Sequence, residues 1–276
     1  MFKLRSPAKI NLFLKILNRR NDGYHEIASL FQAIDLFDQI HFTHADQDTF
    51  TCSNSKIPIN DQNLILKAVA LFRRKTGYLN KFSIHLEKNI PHEAGLGGGS
   101  SNAATTLWAL NEISGKIATE KQLRIWGAEL GSDVPFFLTS GTAYCTGRGE
   151  IINEVAISSI HKNFTLFKPN YGVSTASVYK NLCLENLYIR NPNDDLKHYI
   201  EGRSVFYNDL EDSAFSICPK LLDFKNYLNE LNLKNLTMTG SGATFFCTGI
   251  YKPHYAYPDV WHCNVSSIQR EQNLWY

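Results

Sequence analysis

Apolar and polar residues alternate along Phe82-Ser83-Ile84-His85-Leu86-Glu87, the pattern of a half-buried strand. Beyond a glycine-rich stretch, Ala103, Ala104, Leu107, Trp108 and Leu110 fall on one side of a helix. A helix is expected over 62–75, capped by Asp61, with Leu64, Ile65, Ala68, Val69 and Phe72 on its buried face. Another runs from Thr119, with Glu120 in its first turn, to Leu130. It ends at Gly131-Ser132-Asp133-Val134-Pro135, and apolar Phe136-Phe137-Leu138 follows. Nearer the start, Phe2–Arg5 and Ile10–Ile16 read as two strands separated by Ser6-Pro7-Ala8-Lys9, and 18–23 as a polar turn. Residues 27–36 are apolar without a period that separates strand from helix, while Gln39–Thr43 reads as a strand. Residues 142–145 and 150–155 form a predicted hairpin around Gly147-Arg148-Gly149.

In the second half the pattern predicts a strand at 164–167, a short helix from Thr175, and a helix over 219–231. Strands at 236–239 and 243–248 bracket Gly240-Ser241-Gly242, and Asn191–Asp195 reads as loop. Strands and helices are interspersed without regular βαβ spacing, so the expected class is α+β, in two lobes with the active site in the cleft between them. The boundary is expected within 155–162, giving an N-terminal domain 1–157 and a C-terminal domain 158–276.

Composition narrows the class further. A hydrophobic share of 43% supports an ordinary core, and a net charge of +2 gives no electrostatic reason for a nucleic-acid or membrane partner. The six cysteines contain no C-x-x-C pair, so buried reduced thiols are expected rather than disulfides or a metal site. Residues 1–17 mix Lys3, Arg5, Lys9 and Lys15 with apolar residues and show no signal-peptide core, and no apolar run reaches membrane-spanning length. The expectation is a soluble cytoplasmic protein.

The candidate chemistry centres on Pro91-His92-Glu93-Ala94-Gly95-Leu96-Gly97-Gly98-Gly99-Ser100-Ser101-Asn102-Ala103-Ala104. Four glycines within five positions let a ligand approach the backbone, and the helix that follows offers unpaired amides and a favourable dipole to an anion. Ser100 or Ser101 is the expected N-cap. Strand, glycine loop and helix together read as a phosphate cradle. No lysine follows the glycines as in a Walker A loop, and Ser100 stands where G-x-G-x-x-G needs its last glycine. The protein-kinase elements are missing too.

Taken singly, Lys9 reads as a surface lysine, Asp133 as a turn residue and Gly240-Ser241-Gly242 as a turn. Together, Ser6-Pro7-Ala8-Lys9-Ile10-Asn11, the loop 91–104 and Thr239-Gly240-Ser241-Gly242-Ala243 resemble the three motifs of the GHMP kinase superfamily. Asp22-Gly23-Tyr24-His25 and Gly131–Phe137 extend the resemblance to the branch whose substrate carries a cytidyl group. The similarity spans nearly the whole chain, thins after residue 180 except at 239–243, and matches little after Thr248.

The resemblance implies a two-lobed GHMP kinase fold and ATP-dependent phosphorylation of the 2-hydroxyl of a small cytidyl-bearing substrate, on the non-mevalonate route to isoprenoid precursors. It implies ATP and Mg²⁺ as cofactors, and a monomer or weak homodimer. Asp133 would accept the hydroxyl proton, with Lys9 beside it neutralising charge on the phosphoryl group. ATP would be held by Pro91, Ala94, Gly95, Leu96, Gly97, Gly98, Gly99, Ser100 and Ser101, with Gly240, Ser241 and Gly242 closing from the second lobe. Ser100 or Ser101 would help Mg²⁺, Ser101 being the metal residue chosen. Tyr24 and Tyr179 would sandwich the cytosine, His25 would read its edge, and Asn11 and Thr175 would lie on the substrate side. His92 and Glu93 depart from the apolar or small residues expected in that loop, and Tyr179 stands where phenylalanine is common. The alternatives are a mevalonate, homoserine or sugar kinase of the same superfamily, a nucleotide-binding regulator without catalysis, and a structural protein with a chance glycine loop.

Overall fold

The computed structural model describes residues 1–156, 162–252, 257, 259–271 and 273–276, so the expected boundary at 157/158 lies outside the described residues. Among those described, seven strands form one sheet and four another. The first sheet is built on two long antiparallel strands, β1 (Phe2–Arg19) and β2 (His25–Ala45). The free edge of β2 then serves two partners. Its Gln39–Ala45 half pairs with β4 (Lys81–Glu87), which β3 (Thr49–Cys52) flanks in parallel. Its Ile27–Gln32 half pairs with β5 (Thr142–Gly147), which continues antiparallel to β6 (Ile151–Glu154).

Helices α1 (Leu64–Thr76), α2 (Gly98–Ile113) and α3 (Glu120–Leu130) cover one face of this sheet. The second sheet runs β11-β7-β10-β9, from β7 (Asn163–Pro169), β9 (Thr237–Met238), β10 (Phe245–Thr248) and β11 (Val260–Ser266). Its helices are α4 (Thr175–Lys180), α5 (Pro192–Ile200), α6 (Glu211–Ile217) and α7 (Pro219–Glu230). A short strand, β8 (Tyr207–Asn208), reaches back to pair in parallel with β1 at Phe13 and Leu14. The class is α+β in two lobes, as expected.

Several elements differ from the sequence reading, each for a physical reason. The two strands read at the start are one, because the ladder absorbs Pro7, which has no N–H, at a register shift between Pro7 and Ala8. Residues 6–16 are all buried, so the alternation that identifies a half-buried strand is absent there. Residues 27–36 are strand. Asn63, not Asp61, caps α1 by accepting the Ile65 amide. Asn191–Asp195 is not loop, since Asn191 accepts the Asn193 amide and caps a helix that has Pro192 at its first position. Of the cysteines, all free, only Cys145 and Cys247 are buried, with Cys183 exposed and the others partly covered.

Among the described residues three apolar clusters hold the lobes. One lies between the first sheet and its helices, around Phe42, Phe72, Leu107 and Phe136. A second joins Ile10, Leu12 and Phe13 of β1 to Phe164, Leu166 and Phe246 of the second sheet. The third packs α6 and α7 on the second sheet and takes in Leu14, Ile16 and Ile27. A buried side chain of this size contributes roughly 1.5–3 kcal/mol, so β1 fixes the relative placement of the two lobes.

Candidate active site

A cleft of about 760 Å³ opens between the lobes. Every residue singled out from the sequence lines it except Ser101 and Gly242. The inner wall is β1, whose edge away from β2 turns alternate amides across the cleft: Lys9 N donates to Leu96 O (3.0 Å), and the Asn11 amide points the same way. That amide donates to Thr239 Oγ1 (3.0 Å), across the lobes. Lys9, one residue pair earlier on the same strand, is 3% exposed. Its Nζ donates to Asn11 Oδ1 at 2.6 Å, lies 4.5 Å from the centroid of the Phe31 ring, and sits 3.5 Å from Asp133 Oδ2. Asn11 is fixed in turn, its Nδ2 donating to Ser29 Oγ (2.9 Å), whose hydroxyl donates to Phe13 O (2.6 Å). Asp133, its side chain 30% exposed, stands in the turn between α3 and the 3₁₀ segment Pro135–Leu138. One buried cation and one accessible carboxylate therefore face the cleft together.

The glycine loop meets this pair from above. Gly97, not Ser100 or Ser101, is the N-cap of α2, with φ 69° and no side-chain cap. The first helical amides are thus left to a ligand. Gly95 has φ 70°, and a Cβ there would stand 2.1 Å from Thr239 O, so the loop and the Gly240-Ser241-Gly242 turn touch backbone to backbone. Ser100 lies on the cleft wall; a Cβ on Gly131 would come within 3.9 Å of its Oγ, so the hydroxyl faces the turn that bears Asp133. Ser101 is fully buried and accepts a hydrogen bond from Ser6 Oγ at 2.9 Å, facing away from the cleft. The choice of Ser101 over Ser100 as a metal residue therefore has no geometric support.

Behind the loop lies a buried polar network that sequence reasoning missed. Asp38, fully buried, accepts the amides of Asn89 and Ile90 (both 2.8 Å) and Asn102 Nδ2 (2.9 Å), and pairs with Lys88. Burial pulls the Lys88 ammonium below its ordinary value, with Asp38 opposing. Lys88 lines the cleft beside Gly98. A lone lysine two residues before Ile90 carries no sequence signal for this place.

The far half of the cleft is aromatic and cationic. His25 and Tyr179 rings stand 5.4 Å apart at 32°. Tyr24 is 56% exposed, with the Arg148 guanidinium 4.9 Å over its ring. Burial, then Arg19, pulls the His25 imidazole below its ordinary value. Burial, then Asp133, pushes the Tyr179 phenol up. Thr175 Oγ1 and Ser241 Oγ share a hydrogen bond of 2.7 Å. Arg19 and Arg148 also line this half and were not anticipated, although the Gly147-Arg148-Gly149 turn marked the second. Among the described residues no group of three His, Cys, Asp or Glu side chains could hold a metal, and no helix is long and apolar enough to cross a membrane.

Comparison with known proteins agrees with this geometry. The family described as GHMP kinases N terminal domain matches residues 63–141. The chain is 46% identical over 285 residues to 4-diphosphocytidyl-2-C-methyl-D-erythritol kinase of Protochlamydia amoebophila (strain UWE25), spanning 100% of this chain and 94% of that protein. It is 42% identical over 290 residues to the chloroplastic/chromoplastic kinase of the same name from Solanum lycopersicum, spanning 99% of this chain and 72% of that protein. A crystal structure of 4-(cytidine 5'-diphospho)-2C-methyl-D-erythritol kinase superposes with a TM-score of 0.80 at 30% identity, over 96% of this chain and 100% of that one.

Proposed function

Because the chain belongs to the 4-diphosphocytidyl-2-C-methyl-D-erythritol kinase family of the GHMP kinases, we propose that its cleft transfers the γ-phosphoryl group of ATP to the 2-hydroxyl of that cytidyl substrate. The step belongs to the non-mevalonate route to isoprenoid precursors. The observation that carries this reading is the Lys9–Asp133 pair, 3.5 Å apart, set between the uncapped start of α2 and the Tyr24, His25 and Tyr179 rings. A mevalonate, homoserine or sugar kinase would have no base for that aromatic half to hold.

Phosphoryl transfer is mostly positioning and charge stabilisation. Asp133 takes the proton of the attacking hydroxyl. Lys9, held by Asn11, places its ammonium beside that carboxylate and near the oxygen that receives the phosphoryl group. Amides of 97–100 cradle the nucleotide phosphates, with Pro91, Ala94, Gly95 and Leu96 alongside and Gly240 and Ser241 closing from the second lobe. Gly242 supports that turn from outside the cleft. Tyr24 and Tyr179 stack on the cytosine, His25 pairs with its edge, and Asn11 and Thr175 orient the substrate.

Mg²⁺ fits this donor set. It prefers oxygen ligands and keeps several waters, so a hydroxyl at a phosphate cradle suits it better than a protein cage would. Ser100 is the residue that would hold it. Bound there, it would help neutralise the negative charge of the nucleotide phosphates. In this reading residues 1–157 and 158–276 form the two domains, and the protein acts in the cytoplasm as a monomer or weak homodimer.

The test is phosphorus NMR of a reaction containing ATP, Mg²⁺ and the cytidyl substrate. A new phosphomonoester coupled to the 2-position, appearing with stoichiometric ADP, is expected. ADP formed without that ester, or an ester at another hydroxyl, contradicts the reading.

A further inference from the structure

The segment that follows β11 belongs to the stretch after Thr248 where the resemblance matches little, and it packs on Glu120, Leu138 and Thr139, which lie on either side of the turn that carries Asp133. Helix α3, the turn 131–134 and the 3₁₀ segment Pro135–Leu138 form an arch with Asp133 at its crown. Within the crown, Val134 N donates to Gly131 O (3.1 Å) and Phe137 N to Val134 O (3.2 Å). These bonds are local to the crown and do not themselves join the two feet of the arch. Arg270 ties the feet together. Its Nη2 donates to Glu120 Oε2 in the first turn of α3 (3.1 Å) and to Leu138 O at the other foot (2.8 Å), while Nε donates to Thr139 O (2.6 Å). Arg124 Nε shares Leu138 O at 3.0 Å.

The guanidinium is itself clamped. Its side chain is 4% exposed, its Nη1 donates to Leu274 O (2.9 Å), and it lies 4.7 Å from the Trp108 ring and 5.7 Å from the Trp275 ring. Trp108 belongs to α2, the helix that the glycine loop opens, and Trp275 Nε1 donates to Arg5 O on β1 (2.6 Å). One side chain thus joins the arch bearing the carboxylate to the helix bearing the phosphate cradle, and its stacking partner reaches the strand bearing Lys9. A guanidinium suits this place because its planar fork serves three carbonyls and a carboxylate while its faces stack on indoles.

We propose that Arg270 is a positioning residue for the phosphoryl transfer, holding Asp133 in register with Lys9 and the glycine loop. This rests on the reading of Asp133 as the base. Spreading the arch moves the carboxylate without touching either substrate, and a displacement on the order of 1 Å costs about 10²-fold in rate.

The test is a double-mutant cycle on the full chain with ATP and the cytidyl substrate. Rates are normalised to folded protein by near-UV circular dichroism. Arg270→Ala is expected to lower kcat by about 10–100-fold while both KM values stay within about 3-fold. In the Asp133→Asn background the same change is expected to add almost nothing. Arg270→Lys, which keeps a cation for Glu120 and a stem on Trp108 but loses the fork, guards against a variant that does not fold. It is expected to lose kcat to an intermediate degree with little change in Tm. Unchanged kcat per folded molecule in Arg270→Lys and Arg270→Ala overturns the proposal. A loss that multiplies in full in the Asp133→Asn background overturns it alone, whereas near-normal turnover of Asp133→Asn itself removes the base reading and the proposal together.

Discussion

Replacing Thr239 by Val probes a hydroxyl that joins the three sequence motifs, reaching Asn11 and Gly95 from its own turn. Thr239 is fully buried and Asn11 is 1% exposed. The hydroxyl accepts the Asn11 amide at 3.0 Å and donates to Asn11 Oδ1 at 3.2 Å, with Gly95 O at 3.4 Å. Valine has nearly the same shape, so the change deletes polarity rather than volume. The stranded Asn11 amide costs about 1–3 kcal/mol, and the lost donor bond adds about 0.5–1.5 kcal/mol. A sum near 2–4 kcal/mol lowers Tm by roughly 3–7 °C for a chain of this size. Because Asn11 Oδ1 is also the acceptor for Lys9 Nζ, turnover falls beyond what unfolding explains. Thr239→Ser keeps the hydroxyl and loses one methyl, which costs about 1 kcal/mol. Thermal scans and urea titrations of both variants, read alongside kcat on folded protein, make the comparison. If Thr239→Val behaves like Thr239→Ser, the hydroxyl does not hold the lobes and the reasoning is wrong.

Other outcomes follow from the same geometry. Asp133→Asn keeps the fold and nucleotide affinity by calorimetry but lowers turnover by about 10²–10⁴, the scale of a general base; nearly normal turnover contradicts that role. Tyr24→Ala weakens the cytidyl substrate and a uridyl analogue by similar factors, of about 1–3 kcal/mol for one lost stacking face. His25→Ala weakens the cytidyl substrate more, and equal losses would assign base selection elsewhere. Since burial and Arg19 hold the His25 pKa below its ordinary 6.5, the ring stays neutral as pH falls to that value, and KM for the cytidyl substrate rises only below it. A rise centred above 6.5 points to another group. Lys88→Met strands the fully buried Asp38 and costs about 3–5 kcal/mol in urea unfolding, and a loss below about 1 kcal/mol contradicts the pairing.

The parts of the site that were legible in the sequence share one property, that local chemistry demands an unusual residue. Gly95 and Gly97 are glycines because the backbone there has positive φ and Gly95 abuts Thr239. Thr119 marked the start of α3, and the structure shows why, since its side chain and that of Gln122 cap the helix reciprocally. Where tertiary contacts decide, the pattern fell silent. Ser101 and Ser100 are adjacent and chemically identical, and only the packing of Ser6 against one of them separates their roles. Residues 6–16 lost their alternation because both faces of β1 are covered, by the helices on one side and the second sheet on the other. Strand β8 has two residues and is defined by the β1 edge it meets. Arg270 and Trp275 look like an ordinary polar and aromatic ending, and their partners lie more than 100 residues away at Thr139 and Arg5.

The most direct measurement is a coupled ADP-release assay on the purified chain with ATP and Mg²⁺, run in parallel on 4-diphosphocytidyl-2-C-methyl-D-erythritol, mevalonate, homoserine and galactose. The account predicts that kcat/KM for the cytidyl substrate exceeds each of the others by at least about 10². That ratio follows because the compounds without a base forgo two stacking faces and an edge contact, each about 1–3 kcal/mol. Comparable turnover of any other acceptor, or ADP release that is indifferent to the cytidyl group, would contradict it.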